Sequence, residues 1–204
     1  MPSSLSSGIT PAGELQLVVK RKLKILDFDI ETRLVGFYEA GRFSPKGSEP
    51  TAIAASFVGE KKVHVWAQPE YDVELLLLYF KDLYAAADIV TGHYIRKFDL
   101  PLINGALIEH GFAPLEKKLA QDTKIDLIEF AGLSKSQENL AEMLEIAESK
   151  FKMNDAKWRQ ATRLTPEGVE LTRKRVTQDV LMHKEMREAM LDAALLKPPT
   201  LWEP

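Results

Sequence analysis

Residues 24–32 read KILDFDIET, an apolar segment with acidic residues at every second position. Because side chains alternate across a β-strand, Asp27, Asp29 and Glu31 are expected on one face and the apolar residues between them on the other. Carboxylates that are buried together repel one another unless they are paired, hydrogen-bonded or bound to a cation, and hard cations such as Mg²⁺ prefer carboxylate oxygens. The segment therefore predicts either an edge strand with one solvated face or a strand that carries a metal site.

The rest of the sequence is typical of one soluble globular domain, with 204 residues of which 45% are hydrophobic and 28% are charged. The lack of cysteine excludes disulfides, cysteine-ligated zinc and a cysteine nucleophile, and it agrees with a reducing cytoplasm. No apolar run approaches the roughly 20 residues of a membrane helix. The net charge of −3 gives no general attraction for nucleic acid. We expect a cytoplasmic protein that has no membrane partner.

Both ends of the chain have the composition of tails. The first residues, MPSSLSSGITPAGE, lack the apolar core of a signal peptide, and the last, KPPTLWEP, are rich in proline. We expect a flexible N-terminal tail over 1–21, a single domain over 22–193 and a C-terminal tail over 194–204.

Apolar periodicity and turn signals predict an alternation of strands and helices between these tails. Strands are predicted over 23–31, 51–58, 63–67 and 87–93, with a short strand and a turn of helix within 121–133. Helices are predicted over 70–87, 98–111, 136–146, 155–162 and 166–193, the last with Thr165 as N-cap and Pro166 in its first position. An early hairpin followed by mixed strands and helices predicts an α/β fold in which a mixed sheet is covered by helices.

Two further acidic positions become informative only in combination. Asp99 stands in TGHYIRKFDLP (91–101), where a strand gives way to a helix, and by itself it is explained as a helix N-cap. Asp179 shares a face of the last helix with Arg175 and His183, and by itself it is explained as a solvated helix residue.

The succession of FDIET, then FDLP, then QDV on a late helix resembles the DEDD (DnaQ-like) 3′–5′ exonuclease family. The FDIET and FDLP motifs are most similar to those in the proofreading domains of family B DNA polymerases. The resemblance covers about 23–190 and implies an RNase H-like fold. With no polymerase attached, the chain is also similar to the small stand-alone exonucleases of bacteriophages and some bacteria.

The resemblance implies a metal site and an activity. Its four metal-binding and catalytic acids correspond to Asp29, Glu31, Asp99 and Asp179, which are expected to hold two Mg²⁺ or Mn²⁺ ions that clamp the scissile phosphate. The implied reaction is hydrolysis of phosphodiester bonds at the 3′ ends of single-stranded or frayed DNA, in replication and proofreading with a separate DNA polymerase as a partner. RNA stays open as a substrate. Asp27 matches no ligand of the family, and we expect it to reach solvent rather than the edge of the cleft.

Two other readings are compatible with the sequence. One is a nucleic-acid-binding replication accessory protein that has weak or lost nuclease activity. The other is an endonuclease of the RNase H fold, such as a resolvase. The position of Asp99 where a strand gives way to a helix favours the exonuclease over the resolvase, and the presence of all four acids argues against lost catalysis.

The substrate-binding residues implied by the resemblance lie next to the acids, at Thr32, His93, Tyr94, Arg96, Lys97 and Phe98. Tyr94 and Phe98 are candidates for stacking on unpaired bases, although core packing is the simpler expectation for Phe98. Arg96 and Lys97 are candidates for phosphate contacts. The family usually has asparagine where this chain has His93 and Tyr94, so the contact with the DNA strand is not predicted in detail.

The residues at the general-base positions of the family are different in this chain. The family places tyrosine four residues before the last acid or histidine five before it, and this chain has Arg175 and Lys174 there. Arginine stays protonated and cannot act as a base, so we expect Arg175 to act in catalysis by contacting the scissile phosphate. His183 is one turn beyond Asp179 and could act as a base, but a core histidine is the expected role.

Overall fold

The computed structural model describes residues 22–34, 47–148 and 150–204. The predicted N-terminal tail over 1–21 lies outside the described residues, as do residues 35–46. The strands are β1 (Ile25–Leu34), β2 (Ser48–Phe57), β3 (His64–Ala67), β4 (Ile89–Gly92), β5 (Lys118–Asp122) and β6 (Thr200–Trp202). The helices are α1 (Val73–Ala86), α2 (Asp99–Glu109), α3 (Gln137–Met143), α4 (Asp155–Thr162) and α5 (Pro166–Asp192).

The strands form one mixed sheet in the order β3-β2-β1-β4-β5-β6. β2 runs antiparallel to β1 and β3, whereas β4 and β5 run parallel to β1 and β6 runs antiparallel to β5. The early hairpin and the later crossovers through helices account for this mixture. The predicted fold class, a single α/β domain with a mixed sheet of RNase H-like type flanked by helices, is confirmed.

β1 lies in the middle of the sheet and divides its side chains between two layers. Leu26, Phe28 and Ile30 are buried in the main core, which lies between the sheet and helices α1 and α2. The ring of Phe28 packs against that of Phe80 in α1, with ring centroids 4.8 Å apart. This apolar face anchors the strand, so the acidic face is directed to the opposite layer, where α5 packs.

Small residues on β2 allow α5 to approach the acidic face. Ala52 and Ala54 are fully buried and lie opposite Glu31 and Asp29 in the β1–β2 ladder. They belong to a second apolar cluster that includes Val176 of α5. Because alanine occupies little volume, the helix can pack close to the sheet beside the acidic residues.

The structure confirms the N-cap predicted for α5 but not the one predicted for α2. α5 begins as predicted, with the Thr165 hydroxyl accepting a hydrogen bond from the Gly168 backbone N–H at 3.1 Å and Pro166 in the first position. The prediction of Asp99 as an N-cap is wrong, because Phe98 occupies the cap position of α2 and makes no side-chain capping bond. Asp99 is instead the first residue of the helix.

The prediction for 121–133 is wrong in detail. The strand of this region, β5, begins at Lys118, and the segment after it forms turns rather than a turn of helix. The Asp122 carboxylate accepts hydrogen bonds from the backbone N–H groups of Lys124 and Ile125, at 3.0 and 3.1 Å, and so holds a tight turn.

The prediction of a C-terminal tail is also wrong. Thr200–Trp202 forms β6, which pairs with β5, and the large Trp202 side chain is 8% exposed and joins the main core. Burial of this indole holds the end of the chain in the sheet. A three-residue strand that follows two prolines carries too little alternation to be read from sequence.

Within the part of the chain that the structure describes, no helix is both long and apolar enough to cross a lipid bilayer.

Candidate metal centre

Three carboxylates from distant parts of the chain meet beside the sheet. Asp29 and Glu31 belong to β1, and Asp179 belongs to α5, which packs on that strand. Their oxygens lie within 4.8 Å of one another, and the Asp179 side chain is buried. Because residues i and i+2 of a strand share a face, β1 contributes two acids to the point where α5 contributes the third.

Asp99 lies beside this cluster without belonging to the group of three. Its side chain is 3% exposed. The backbone N–H groups of Asp99 itself and of Ile30, which stands between Asp29 and Glu31 on β1, favour the ionised form of its carboxyl group and so lower its pKa, against the larger effect of burial. Asp99 also interacts electrostatically with Asp29. The fourth predicted ligand is therefore placed against the strand that carries the first two.

Burial and mutual repulsion raise the pKa of these carboxyl groups. Burial, reinforced by the charges of Asp179 and Asp99, raises the pKa of Asp29 well above its ordinary value of 3.8. Burial raises the pKa of Glu31 to about 7, against the opposing charge of Arg175. Burial raises the pKa of Asp99 to about 8. In the absence of a cation, the site retains protons near neutral pH.

Two basic side chains partly neutralise the cluster. Arg175 Nε lies 2.5 Å from Glu31 Oε1, and another nitrogen of the same guanidinium lies 3.7 Å from Asp179 Oδ2. Lys150 Nζ lies 3.5 Å from Asp179 Oδ2. Lys150 was not predicted from sequence, because it belongs to an irregular segment before α4 and no motif surrounds it. Arg175 lies at the cluster, as its predicted role requires, although its contact with a phosphate stays a prediction.

The residues present fit a hard divalent cation. All three clustered side chains offer carboxylate oxygens, which Mg²⁺ and Mn²⁺ prefer. Asp179 Oδ1 is buried and has no hydrogen-bond partner among the described residues. A buried carboxylate oxygen without a partner is costly, and coordination to a cation would satisfy it.

Asp27 and His183 have a different role from the clustered acids. Asp27 is fully buried, and its Oδ2 lies 2.7 Å from His183 Nδ1. The other ring nitrogen of His183 lies 2.9 Å from Thr123 Oγ1, which is also 3.0 Å from His93 Nδ1. The expectation that Asp27 reaches solvent is wrong, because the partner that allows its burial lies 156 residues away in sequence. His183 is a buried core histidine with both ring nitrogens bonded, as expected for the simpler of its two roles.

His183→Ala should lower the free energy of unfolding by about 3–5 kcal/mol, because it leaves the buried Asp27 carboxylate without its partner. Urea unfolding at neutral pH measures the change. His110→Ala serves as a control, because His110 pairs with the exposed Glu74 at 3.4 Å. This substitution should lower the free energy of unfolding by less than about 1 kcal/mol. Equal losses in the two variants would contradict a stabilising Asp27–His183 pair.

Some of the predicted substrate residues next to the acids have side chains bonded inside the protein, and others have exposed side chains. Thr32 follows Glu31 at an irregularity in the β1–β2 ladder, where the register shifts. Burial lowers the pKa of His93 to about 3, and its ring contacts Thr123 inside the protein. Tyr94 is 38% exposed with a φ of 71°, and the Lys124 ammonium lies 4.1 Å from its ring centroid. Of these, Tyr94 has the exposed ring that base stacking requires.

The next three predicted substrate residues are not part of the carboxylate cluster. The Arg96 guanidinium pairs with Asp126 and donates to the Thr200 hydroxyl, so it holds β6 to the loop after β5. Lys97 and Arg96 both line a cavity beside Trp202. Phe98 packs against the main core, which agrees with the expectation of core packing rather than base stacking. A phosphate contact by Arg96 would require these internal bonds to break.

Asp122 was not singled out from sequence, yet it positions the loop that precedes Asp99. The Asp122 carboxylate is fully buried and accepts hydrogen bonds from the backbone N–H groups of Tyr94 and Arg96, each at 3.0 Å. These bonds stabilise the positive φ of Tyr94, which a residue with a side chain rarely adopts. The sequence carries little signal for this role, because β5 reads KLAQD and has only two apolar residues.

The contribution of the clustered carboxyl groups to the thermal stability of the metal-free protein should fall as the pH rises from about 4 to about 8. The pKa of Glu31 is raised from 4.5 to about 7 and that of Asp99 from 3.8 to about 8. The folded state binds these protons more tightly, so their stabilising contribution is complete below the unfolded-state values and is lost as the pH rises through the folded-state values. Calorimetry in EDTA measures the melting temperature as a function of pH. The difference between the pH profiles of the unchanged chain and of Asp99→Asn gives the contribution of the Asp99 carboxyl group.

Saturating Mn²⁺ should abolish most of this fall, because the cation takes the place of the protons. Identical pH profiles in EDTA and in Mn²⁺ would contradict a metal site at these carboxylates.

Comparison with known proteins identifies the fold. No family model matches the chain, and no curated protein matches it. Among solved structures it is similar to the family B DNA polymerase from the hyperthermophilic archaeon Pyrobaculum calidifontis, with a TM-score of 0.66 and 16% sequence identity. The match covers 84% of this chain and 25% of that chain. The chain therefore shares the fold of one part of the polymerase and spans about a quarter of its length.

Proposed function

We propose that the protein is a metal-dependent 3′–5′ exonuclease that hydrolyses phosphodiester bonds at the 3′ ends of single-stranded or frayed DNA. The observation that carries the proposal is the meeting of Asp29, Glu31 and Asp179 within 4.8 Å, with Asp99 against the same strand. By the resemblance of the sequence motifs, these four residues correspond to the acids of the DEDD exonucleases. The fold shared with a family B DNA polymerase supports a DNA-related function.

The four carboxylates are the residues that would hold Mg²⁺ or Mn²⁺. Two such ions, when bound, would supply an activated water at neutral pH and stabilise the charge of the leaving oxygen. The protein holds the four acids in fixed positions on β1, α2 and α5, and the low exposure of Asp99 and Asp179 limits competition from water.

Arg175 and Lys150 supply positive charge beside the carboxylates. In this proposal the Arg175 guanidinium turns from Glu31 to the scissile phosphate, where its fork of donors stabilises the negative charge that develops in the transition state. Lys150, 3.5 Å from Asp179, offsets the charge of that carboxylate. The Arg175 guanidinium stays protonated and is not a base, so the proton of the attacking water would pass to solvent or to a clustered carboxylate.

A second candidate is a nucleic-acid-binding accessory protein with weak nuclease activity. The observation that favours it is the neutralisation of the acids by the chain itself, since Arg175 pairs with Glu31 and Lys150 pairs with Asp179. In either case we propose that the protein acts in the cytoplasm in DNA replication, where a separate DNA polymerase would supply mismatched 3′ ends.

Digestion of defined substrates tests the proposed activity. A 5′-labelled linear single strand should shorten one nucleotide at a time and release mononucleotides, and a blocked 3′ terminus should prevent this. A circular single strand of the same composition should stay intact. Internal cuts in the circle would support an endonuclease, and binding without digestion in Mg²⁺ or Mn²⁺ would support the accessory protein.

A further inference from the structure

Helix α4 exposes nearly all of its surface beside the carboxylate cluster. Of its eight residues, all described, only Ala161 is buried. The helix is held close to α5 through Gly168, where a Cβ would lie 2.1 Å from the Gln160 carbonyl oxygen. A glycine at the contact fixes the helix by backbone packing, so the other side chains of α4 are available to solvent. Trp158, which is 37% exposed, is therefore not explained by core packing.

Arg175 connects this helix to the candidate metal centre. Its guanidinium carbon lies 4.9 Å from the centroid of the Trp158 ring, and one of its nitrogens donates to the Phe151 carbonyl oxygen at 2.9 Å. The same side chain lies 2.5 Å from Glu31. An aromatic surface thus begins one side chain away from the carboxylates.

A cleft with a volume of about 820 Å³ continues this surface between α4 and the start of α5. Its central ring is Phe151, which has the ammonium groups of Lys157 and Lys174 each 4.6 Å from its centroid. Two glutamates, Glu167 and Glu170, also line the cleft. We call Trp158 together with this cleft the α4 surface.

The segment that contains α4 is basic, although the cleft itself is lined by two lysines and two glutamates. Residues 150–163 contain five basic residues and one acidic residue, whereas the chain has a net charge of −3. The two ammonium groups over the half-buried Phe151 ring, together with the exposed ring of Trp158, offer the two contacts that single-stranded nucleic acids use, phosphate pairing and base stacking. A ligand with only one of these features would leave the other unexplained.

We propose that the α4 surface binds the single-stranded DNA segment that adjoins the nucleotide in the carboxylate cluster. A base stacks on the exposed part of Trp158, and the phosphates next to it pair with Lys157 and Lys174. The inference rests on the proposed function, because it extends the substrate from the cluster along the same strand. It adds a binding site that contains none of the four clustered acids.

Equilibrium binding in EDTA tests the site without requiring hydrolysis. The anisotropy of a 5′-fluorescein single-stranded 12-mer gives the affinity of the chain, of Lys157→Gln/Lys174→Gln and of Trp158→Ala. Trp158→Ala should weaken binding about tenfold, the scale of one lost base stack. The double lysine variant should reduce the slope of log affinity against log salt by about 1.4, since each phosphate contact to a single strand contributes about 0.7.

Two controls separate the site from general effects. Lys152→Gln removes the same charge from the same segment, but Lys152 is 87% exposed, lies 3.6 Å from Glu138 and does not line the cleft, so this variant should bind like the unchanged chain. Trp158→Phe keeps a stacking ring and should retain most of the affinity. Circular dichroism and melting temperatures confirm that the variants fold.

The proposal is overturned if Lys152→Gln weakens binding as much as the cleft variants do, or if the double lysine variant binds like the unchanged chain. Lack of measurable binding by the unchanged chain also overturns it. Failure of the proposed function has a different signature, because binding in EDTA would then follow the predictions while Mg²⁺ and Mn²⁺ produced no digestion.

Discussion

Replacing any one of the four acids with alanine is expected to lower the rate of nucleotide release by at least about 10³-fold while the fold is retained. The variants are Asp29→Ala, Glu31→Ala, Asp99→Ala and Asp179→Ala. Ions held by these acids would supply several kcal/mol of transition-state stabilisation, and the loss of one ligand would disturb their positions. The initial rate of digestion of a labelled single strand in Mg²⁺ measures the loss.

Asparagine substitutions at two of these positions separate a metal-binding role from a structural one. Burial raises the pKa of Asp29 and Asp99, so Asp29→Asn and Asp99→Asn should leave the metal-free melting temperature unchanged or higher. Asp82→Ala, an exposed change on α1, should preserve activity. Asp27→Asn should affect activity far less than the four ligand variants. A ligand variant with near wild-type activity would remove that residue from the assignment.

Arg175→Ala is expected to lower activity by about 10²-fold or more, the scale of losing one donor to a developing oxyanion. The Arg175 guanidinium lies 2.5 Å from Glu31 and 3.7 Å from Asp179, so it is within reach of any phosphate held by these acids. Arg175→Lys keeps the charge without the planar fork and should recover activity only in part. Initial rates in Mg²⁺ at neutral pH measure both variants.

Arg173→Ala is the matched control for this prediction. Arg173 lies on the same helix but pairs with Glu70 and Glu170 at the surface, so its loss should have little effect on activity. If Arg175→Ala keeps its activity and Arg175→Tyr is more active, then position 175 is the family's general-base position, which has lost its tyrosine in this chain, and Arg175 does not contact the phosphate. The reading as a weak nuclease or binding protein would then gain support.

The acidic strand was the part of the site that sequence predicted most directly. Alternation alone separates Asp29 and Glu31 from Phe28 and Ile30, because a strand has only two faces. Asp99 and Asp179 have ordinary explanations as single residues, and only a resemblance to a family linked them to the strand. Their meeting depends on how α2 and α5 pack, which local patterns do not contain.

Residues whose roles depend on distant partners were not predictable from local patterns. Asp27 has the same alternation as Asp29, but its partner His183 is 156 residues away, so burial with a histidine could not be told from solvent exposure. Lys150 stands in an irregular segment without periodicity. β6 depends on the burial of Trp202 against a sheet edge and carries no strand pattern of its own. These contacts are products of tertiary packing.

The most direct test of the central claim is the rate at which the terminal nucleotide leaves a 5′-labelled single strand, measured against Mn²⁺ concentration for the unchanged chain and for Asp29→Asn. The account predicts no release in EDTA, a rate that rises to saturation with Mn²⁺ for the unchanged chain, and no measurable rise for the variant. Equal rates for the two proteins, or release by the unchanged chain in EDTA, would contradict a metal-dependent nuclease centre at these carboxylates.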